Sequence, residues 1–592
     1  MRRFVFGLFT ALGIFTALVI LGAVLAVGFG VAALRMAAHP AGLPSDIILS
    51  ADFSRGFAAG NGPDPLATLV VGKRETLRDF LETLERAGDD SRVHGLYVHI
   101  GGDDLGLATV QELRDAVHAF RDKGKFAIVF SESFGEFGPG TRPYYLATAF
   151  DEIWVQPLGS VGLIGLHAEV PFARQALDKL GVQAQFAHRE EFKTAANTLT
   201  ETTMTPAQRE ETEALLNATS SQIVKGIAID RNLSESDVTG LIDKGPLLAE
   251  EAKSAKLIDR IGYRDEAVEQ ARKRAGSGAE FVAPTRYLGS AGRPHNSGPK
   301  IALIYANGLI TQEGASSSLA GSNEVSAREL TRAFRDAFRD SDVRAILFRI
   351  DSPGGSAVAS ETIWREVMRA RERGKPVIVS MGDVAGSGGY YIAAPADKIV
   401  AEPATLTGSI GVLAGKVVIG DLLDKIGITG EAVQRGANSG MFTSFKGFTP
   451  TEWNQLGKFL DATYAGFKQR VADGRHMSAE QVEAVAKGRV WSGSEAKEHG
   501  LVDQLGGYET ALQLAREAAN LPPDKPFRIV VFPRQKSAIE AAYDRLANPD
   551  RNTDTPSAAM QLAQGMGNLL SAVATLSGDN SILRMPAIGD LR

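Results

Sequence analysis

Short runs of β-branched and apolar residues alternate along this chain with stretches whose apolar positions fall at helical spacing. Ile47 to Ser50 and Gly95 to Ile100 read as strands, and Thr76 to Ala87 between them reads as a helix. The same succession returns later: a helix from Ala327 to Phe338, a strand from Val343 to Ile350, and a buried strand at Val377-Ile378-Val379. Strands alternating with helices predict an α/β fold with largely parallel strands.

The recurrence keeps a register. Val93 and Val343 stand 250 positions apart, as do Gly124-Lys125 and Gly374-Lys375. Tyr144-Tyr145-Leu146-Ala147 matches Tyr390-Tyr391-Ile392-Ala393, and Leu177-Asp178-Lys179-Leu180-Gly181 matches Leu423-Asp424-Lys425-Ile426-Gly427, both at an offset of 246. Glu251-Ala252-Lys253 matches Glu495-Ala496-Lys497 at 244. An ordered set of matches marks two copies of one αβ unit, joined near Gly276 to Lys300, where Gly, Pro and Ser are frequent. Beyond both copies, Ala558 to Leu576 is a small-residue amphipathic stretch: either a surface or oligomer-contact helix, or a loose tail.

The copies differ where chemistry would sit. In the second, the strand at Val377 breaks into Gly386-Ser387-Gly388-Gly389 and resumes as the helix-like Tyr390-Tyr391-Ile392-Ala393-Ala394. A serine between glycines at a strand-to-helix turn suits a nucleophile, because small neighbours admit a substrate and helix-start N–H groups can hold an oxyanion. Taken alone, the segment is equally a Gly/Ser turn without chemistry. Asp351-Ser352-Pro353-Gly354-Gly355-Ser356 adds a turn that exposes backbone N–H groups beside a strand end. The first copy has Thr141 opposite Ser387 and lacks the Pro-Gly-Gly turn, so it reads as inert. It keeps Lys193, which stands opposite Ser439 of the second copy. A single lysine is more often simply solvated; one half retaining a serine and the other a lysine makes a divided site the alternative.

Composition narrows the classes. Among 592 residues the net charge is −6, which gives no reason to expect nucleic acid, and the absence of cysteine excludes disulfides and thiolate metal sites. No H-E-x-x-H or P-loop lysine is present, so metal and nucleotide cofactors lack support. The nine histidines, His167, His188, His476 and His499 among them, sit in no triad context. Met1-Arg2-Arg3 precedes an uncharged run of 31 residues, Phe4 to Leu34, longer than the roughly 20 that span a bilayer. Ala37 and Ala38 leave room for a cleaved signal, but the length favours an uncleaved anchor, with the two arginines inside and the remainder outside.

Asp351-Ser352-Pro353-Gly354-Gly355, Gly386-Ser387-Gly388-Gly389-Tyr390-Tyr391 and Thr405-Leu406-Thr407-Gly408-Ser409-Ile410-Gly411 together resemble the signal peptide peptidase A family (protease IV) in its long, duplicated form. The resemblance covers nearly everything after Pro40. It implies two tandem Clp protease/crotonase-like αβ domains, at 41–285 and 300–545, after a membrane anchor at 1–40, with a linker at 286–299 and a tail at 546–592. It makes Ser387 the nucleophile, Lys193 the general base, the N–H groups of Gly354 and Gly388 the oxyanion hole, and Ser409 the group that orients the lysine. Short members take the lysine from the serine's own domain; Ser439 fills that position here, so the base must come from the first half. Gly386 departs from the alanine the family often has. The implied activity is endoproteolysis of released signal peptides and other apolar peptides, without a cofactor, by a homo-oligomer such as a tetramer. The implied location is the outer face of a bacterial inner membrane. A crotonase-like acyl-CoA enzyme and a catalytically silent membrane scaffold are the alternatives.

Overall fold

A computed structural model describes residues 42–54, 56–58, 60, 75–102, 105–313, 324–534 and 583–584. The apolar run Phe4–Leu34 and the stretch Ala558–Leu576, with the anchor and helix expected there, lie outside these residues. Among the described residues no helix is long and apolar enough to cross a membrane.

The apolar runs of the first unit form β1 (Ile47–Asp52), β2 (Val93–His99), β3 (Phe126–Ser131) and β4 (Glu152–Val155). They lie parallel in the order β4-β3-β2-β1, with short parallel strands Arg260–Ile261 and Glu280–Val282 at the two edges. Every residue of β3 is buried, as expected of a parallel sheet with both faces covered. A further strand, β5 (Gln183–His188), leaves this sheet.

The second unit repeats the plan with β6 (Lys300–Asn307), β7 (Val343–Ser352), β8 (Gly354–Gly355), β9 (Val377–Gly386), β10 (Leu406–Gly408), β11 (Leu413–Val418) and β12 (Val490–Ser492). Its main sheet runs β12-β10-β9-β7-β6 and ends on Arg528–Phe532; β12 alone pairs antiparallel on this path. A final strand, β13 (Leu583–Arg584), pairs antiparallel with β8.

Helices carry the duplication into detail. The first unit has α1 (Leu107–Asp122), α2 (Thr141–Ala147) and α3 (Pro206–Arg231); the second has α4 (Gly388–Ala393) and α5 (Pro450–Arg475). Both α3 and α5 are 26 residues long and begin Thr-Pro. The threonine oxygen accepts a first-turn N–H, and proline supplies a helical φ where no N–H is needed. Tyr144 of α2 donates its hydroxyl to Leu257 O at 2.8 Å, and Tyr390 of α4 does the same to Leu501 O at 2.9 Å. Each unit has its own large apolar core, around Phe80, Val129 and Tyr144 in one and Phe348, Val379 and Tyr390 in the other.

Contacts of several kinds fasten the units. Helix α1 begins at Gly106 without a side-chain cap of its own. Asp383 of the second unit supplies one, accepting from Thr109 N at 2.9 Å and Thr109 Oγ1 at 2.6 Å. One turn on, Glu112 takes both terminal nitrogens of buried Arg349 at 2.7 and 3.1 Å. Elsewhere β5 and β11 pair antiparallel from Gln183↔Val418 to His188↔Leu413. The stretch expected to be a linker begins inside a helix, Pro284–Ala291, whose Tyr287 and Leu288 are buried. The surrounding glycines and serines hide that short amphipathic face in the sequence.

Candidate active site

The strand-to-helix turn from β9 to α4 places Ser387 at φ 53° and ψ −115°. A non-glycine residue there is strained, by about 1–3 kcal/mol, and such strain collects at functional sites. Ser387 is fully buried; its N–H is tied to Gly408 O at 2.8 Å and its carbonyl accepts from Tyr391 N at 2.8 Å. Glycine is needed at 388 for closeness: a Cβ there would lie 2.7 Å from Ser360 Oγ and 3.1 Å from Gly354 Cα.

Lys193 reaches this serine from the first unit. It follows β5, so the β5–β11 ladder delivers it, and its stem passes between two glycines of the second unit. A Cβ on Gly488 would stand 2.6 Å from Lys193 N, and one on Gly411 would stand 3.1 Å from Lys193 Cδ. The Lys193 side chain has no exposed surface. Its Nζ lies 2.9 Å from Ser387 Oγ, 2.9 Å from Ser409 Oγ and 3.0 Å from Ser409 O. Ser409, like Ser387, holds a positive φ, 51°.

Burial holds the amine well below the 10.5 of an ordinary lysine; the Glu211 charge opposes that effect. A neutral amine has two N–H donors and one lone pair. In its neutral form, with Ser409 O accepting one N–H and Ser409 Oγ the other, the amine would turn its lone pair to the Ser387 hydroxyl. That arrangement can remove a proton from Ser387.

The expected oxyanion donors are only half ready. Gly354 and Gly388 adjoin, but the Gly354 N–H donates to Ser352 Oγ at 3.2 Å, and Ser352 in turn donates to Gly308 O at 2.6 Å. The Gly388 N–H belongs to the first turn of α4, which needs no intrahelical acceptor for it. Thr141 and Ser439 stay apart from this centre: the Thr141 hydroxyl donates to Gly165 O at 2.9 Å, and Ser439 is exposed.

Two neighbours escaped the sequence. Glu211 on α3 is buried, accepts the Val490 N–H at 2.6 Å, and is pushed up to about 8 chiefly by that burial. Gly488, at φ 81°, sits in no recognisable motif. Glu211 lies in a run of acidic residues that reads as a solvated helix face, so only its helical register could have suggested burial.

Peptidase family S49 matches residues 122–277 and 369–522, together just over half of the chain. A chloroplastic serine protease, SPPA, from Arabidopsis thaliana is 32% identical over 477 residues, 78% of this chain and 69% of its own. Protease 4 of Salmonella typhi is 29% identical over 494 residues, covering 81% and 77%. Protease 4 of Haemophilus influenzae is 28% identical over 474 residues, covering 77% and 75%. A solved ClpP1 mutant from Listeria monocytogenes overlaps 36% of this chain and 94% of its own at 16% identity, with a TM-score of 0.24, a likeness too slight to carry an argument. Two α/β repeats and these relatives define a serine peptidase. The chain belongs to peptidase family S49, whose repeat it carries twice.

Proposed function

We propose that this peptidase cleaves apolar peptides, released signal peptides among them, with Ser387 as nucleophile and Lys193 as general base. The observation that carries the reading is the 2.9 Å approach of the Lys193 amine, which burial holds well below the usual lysine range, to the Ser387 hydroxyl. As Ser387 Oγ attacks the scissile carbonyl, its proton passes to Lys193 Nζ. Ser409 holds the resulting ammonium through its hydroxyl and carbonyl. The Gly388 N–H receives the oxyanion. The Gly354 N–H turns to it from its long bond to Ser352, because a charged acceptor outcompetes a neutral hydroxyl. Lys193 then protonates the leaving amine, and water activated by the same amine hydrolyses the acyl-enzyme.

The substrate is an extended strand. The β8 edge beside Ser387 pairs antiparallel with a strand of this chain, β13, and a substrate strand would take that place. The apolar N-terminal run anchors the chain in the bacterial inner membrane, and both units work on its outer side, as a homo-oligomer. An acyl-CoA reaction would leave the lysine idle. A fluorophosphonate probe tests the reading. Ser387 becomes labelled in the intact chain, and Ser387→Ala abolishes labelling. A Lys193→Ala chain that labels at the native rate removes lysine as the base.

A further inference from the structure

At the offset of 244 that relates α3 to α5, Gly226 stands opposite Arg470. In the second unit the Arg470 guanidinium lies 4.0 Å from the centre of the Trp364 ring and donates to Glu361 at 2.7 Å. Trp364 and Glu361 sit on the helix Ala357–Glu372, the counterpart of α1, and their equivalents there are Arg114 and Gln111. Gly226 brings no side chain to the same place in the first unit. A cavity of about 360 Å³ lies there, between α1 and α3 on one side and the turns at Glu402–Pro403 and Leu505–Gly506 of the second unit on the other. Its wall is partly apolar. Ile229 is 70% exposed, and the Tyr145 ring comes so near that a Cβ on Gly226 would stand 2.5 Å from it.

The charges around this cavity do not balance. Arg114, stacked 3.9 Å over the Tyr145 ring, is matched by Asp230 at 2.5 Å, and His118 meets the same carboxylate at 3.3 Å. Asp115 and Glu402 are left without an ion pair among the described residues. Glu402 is only 2% exposed, yet its Oε1 has no hydrogen-bond partner, a costly arrangement for a buried carboxyl. Burial holds its carboxyl well above the usual range; Glu112, Asp115 and Asp383 push the same way, and Arg349 opposes them. The fold does not demand an acid at this turn. Its counterpart in the first unit, at the offset of 246, is Gln156, followed by Pro157 as Glu402 is followed by Pro403.

We propose that this cavity binds a small organic cation, a guanidine or amine on a short aliphatic stem, with its charge at Asp115 and Glu402 and its stem against Tyr145 and Ile229. The ligand brings from outside what Arg470 provides within the second unit: a cation beside an aromatic ring, matched to a carboxylate. Its N–H groups give Glu402 the donor that the protein does not. Because the cavity is walled by both units, the ligand also bridges them. Ser387, Lys193 and Ser409 do not line the cavity, so the inference stands apart from the proposed peptidase mechanism.

Calorimetric titration of the full chain with agmatine and with putrescine, at low ionic strength, tests this. Saturable binding of at least one of them at a single site per chain is expected, and the tighter of the two identifies guanidinium or ammonium as the favoured head group. Glu402→Gln, which installs the residue type that the first unit carries at this turn, is expected to weaken binding at least tenfold without lowering the melting temperature. Asp115→Asn is expected to weaken it similarly. A cation draws the proton off Glu402, so native affinity should rise with pH, by up to about tenfold per unit, and Glu402→Gln should flatten that slope. If neither compound binds saturably to the native chain, the proposal falls. It falls equally if binding survives both substitutions at native strength, since that is the general attraction of cations to a chain of net charge −6.

Discussion

Ser409 meets Lys193 twice, with its hydroxyl at 2.9 Å and its carbonyl at 3.0 Å, two contacts that would orient the proposed base. The serine is held at a positive φ to do this, and its N–H is anchored to Arg489 O at 2.7 Å. Ser409→Ala removes one of the two tethers and keeps the carbonyl. The expected result is a kcat lowered about 10–100-fold, the cost of a misoriented base, with KM little changed. An unchanged kcat would mean that the carbonyl alone orients the amine.

The pH profile follows from the burial of Lys193. Below its folded pKa the amine is an ammonium without a lone pair, so kcat/KM falls about tenfold per pH unit on the acid side and rises through that pKa. Burial sets it well below 10.5. Arg489, paired with Glu210 at 2.6 Å, also bears on Glu211, which loses its proton at about 8. An ionised Glu211 raises the proton affinity of Lys193, flattening the native limb. Glu211→Gln keeps an acceptor for the Val490 N–H but never ionises. Its limb is expected at lower pH and steeper, as for a single proton. A limb unmoved by Glu211→Gln would separate the two groups electrostatically.

Lys193 also costs stability. Between its lowered folded pKa and about 10.4, the unfolded chain holds a proton that the native chain has lost, so the penalty persists through neutrality and shrinks as pH rises. Lys193→Met is expected to abolish cleavage while stabilising the fold by on the order of 2 kcal/mol at pH 7. Denaturation curves at pH 7 and 10 check it, and the gain should narrow at the higher pH. Ser387→Ala should also abolish cleavage, and the double variant with Lys193→Ala should be no slower than either single one, because the two residues act as a unit.

The duplication made much of this legible. Matching Leu177–Gly181 to Leu423–Gly427 set Lys193 opposite Ser439 and Thr141 opposite Ser387, and the structure keeps both counterparts away from the buried centre. Strands were readable because local pattern and burial agree, as at Gly95–Ile100 along β2 and Val343–Ile350 inside β7. What escaped depends on contacts between units. Gly488 is small because the Lys193 backbone crosses it, and Glu211 is buried because β12 of the other unit covers it. The Gly354 N–H is engaged by Ser352, a neighbour inside the motif whose side-chain direction sequence does not give.

Gly488→Ala tests that crossing. The added Cβ would stand 2.6 Å from Lys193 N and 2.8 Å from Lys193 Cα, and the backbone there has φ 81°. Lys193 must retreat, and displacement of a base by even 1 Å costs about 100-fold in rate. The left-handed backbone adds about 1–2 kcal/mol of destabilisation. The expected signature is a large loss of kcat with a modest fall in melting temperature. Ser439→Ala, on the exposed counterpart of the lysine, serves as the control and should stay within a factor of a few of the native rate.

The β8 edge has two claimants. Leu583–Arg584 pairs there antiparallel, Gly354 with Arg584 and Gly355 with Leu583, on the strand proposed to receive substrate. A segment of the same chain competes at high effective concentration, so it raises the apparent KM and leaves kcat intact once substrate is bound. Leu583→Pro in the full chain removes an N–H from that pairing and restricts the residue before it, without altering Ser387 or Lys193. The expected result is a KM for a fluorogenic apolar peptide lowered several-fold at constant kcat, with faster fluorophosphonate labelling of Ser387. An unchanged KM would mean that β13 and the substrate occupy different lengths of the edge, and the strand-addition geometry would then have to be moved away from Gly354–Gly355.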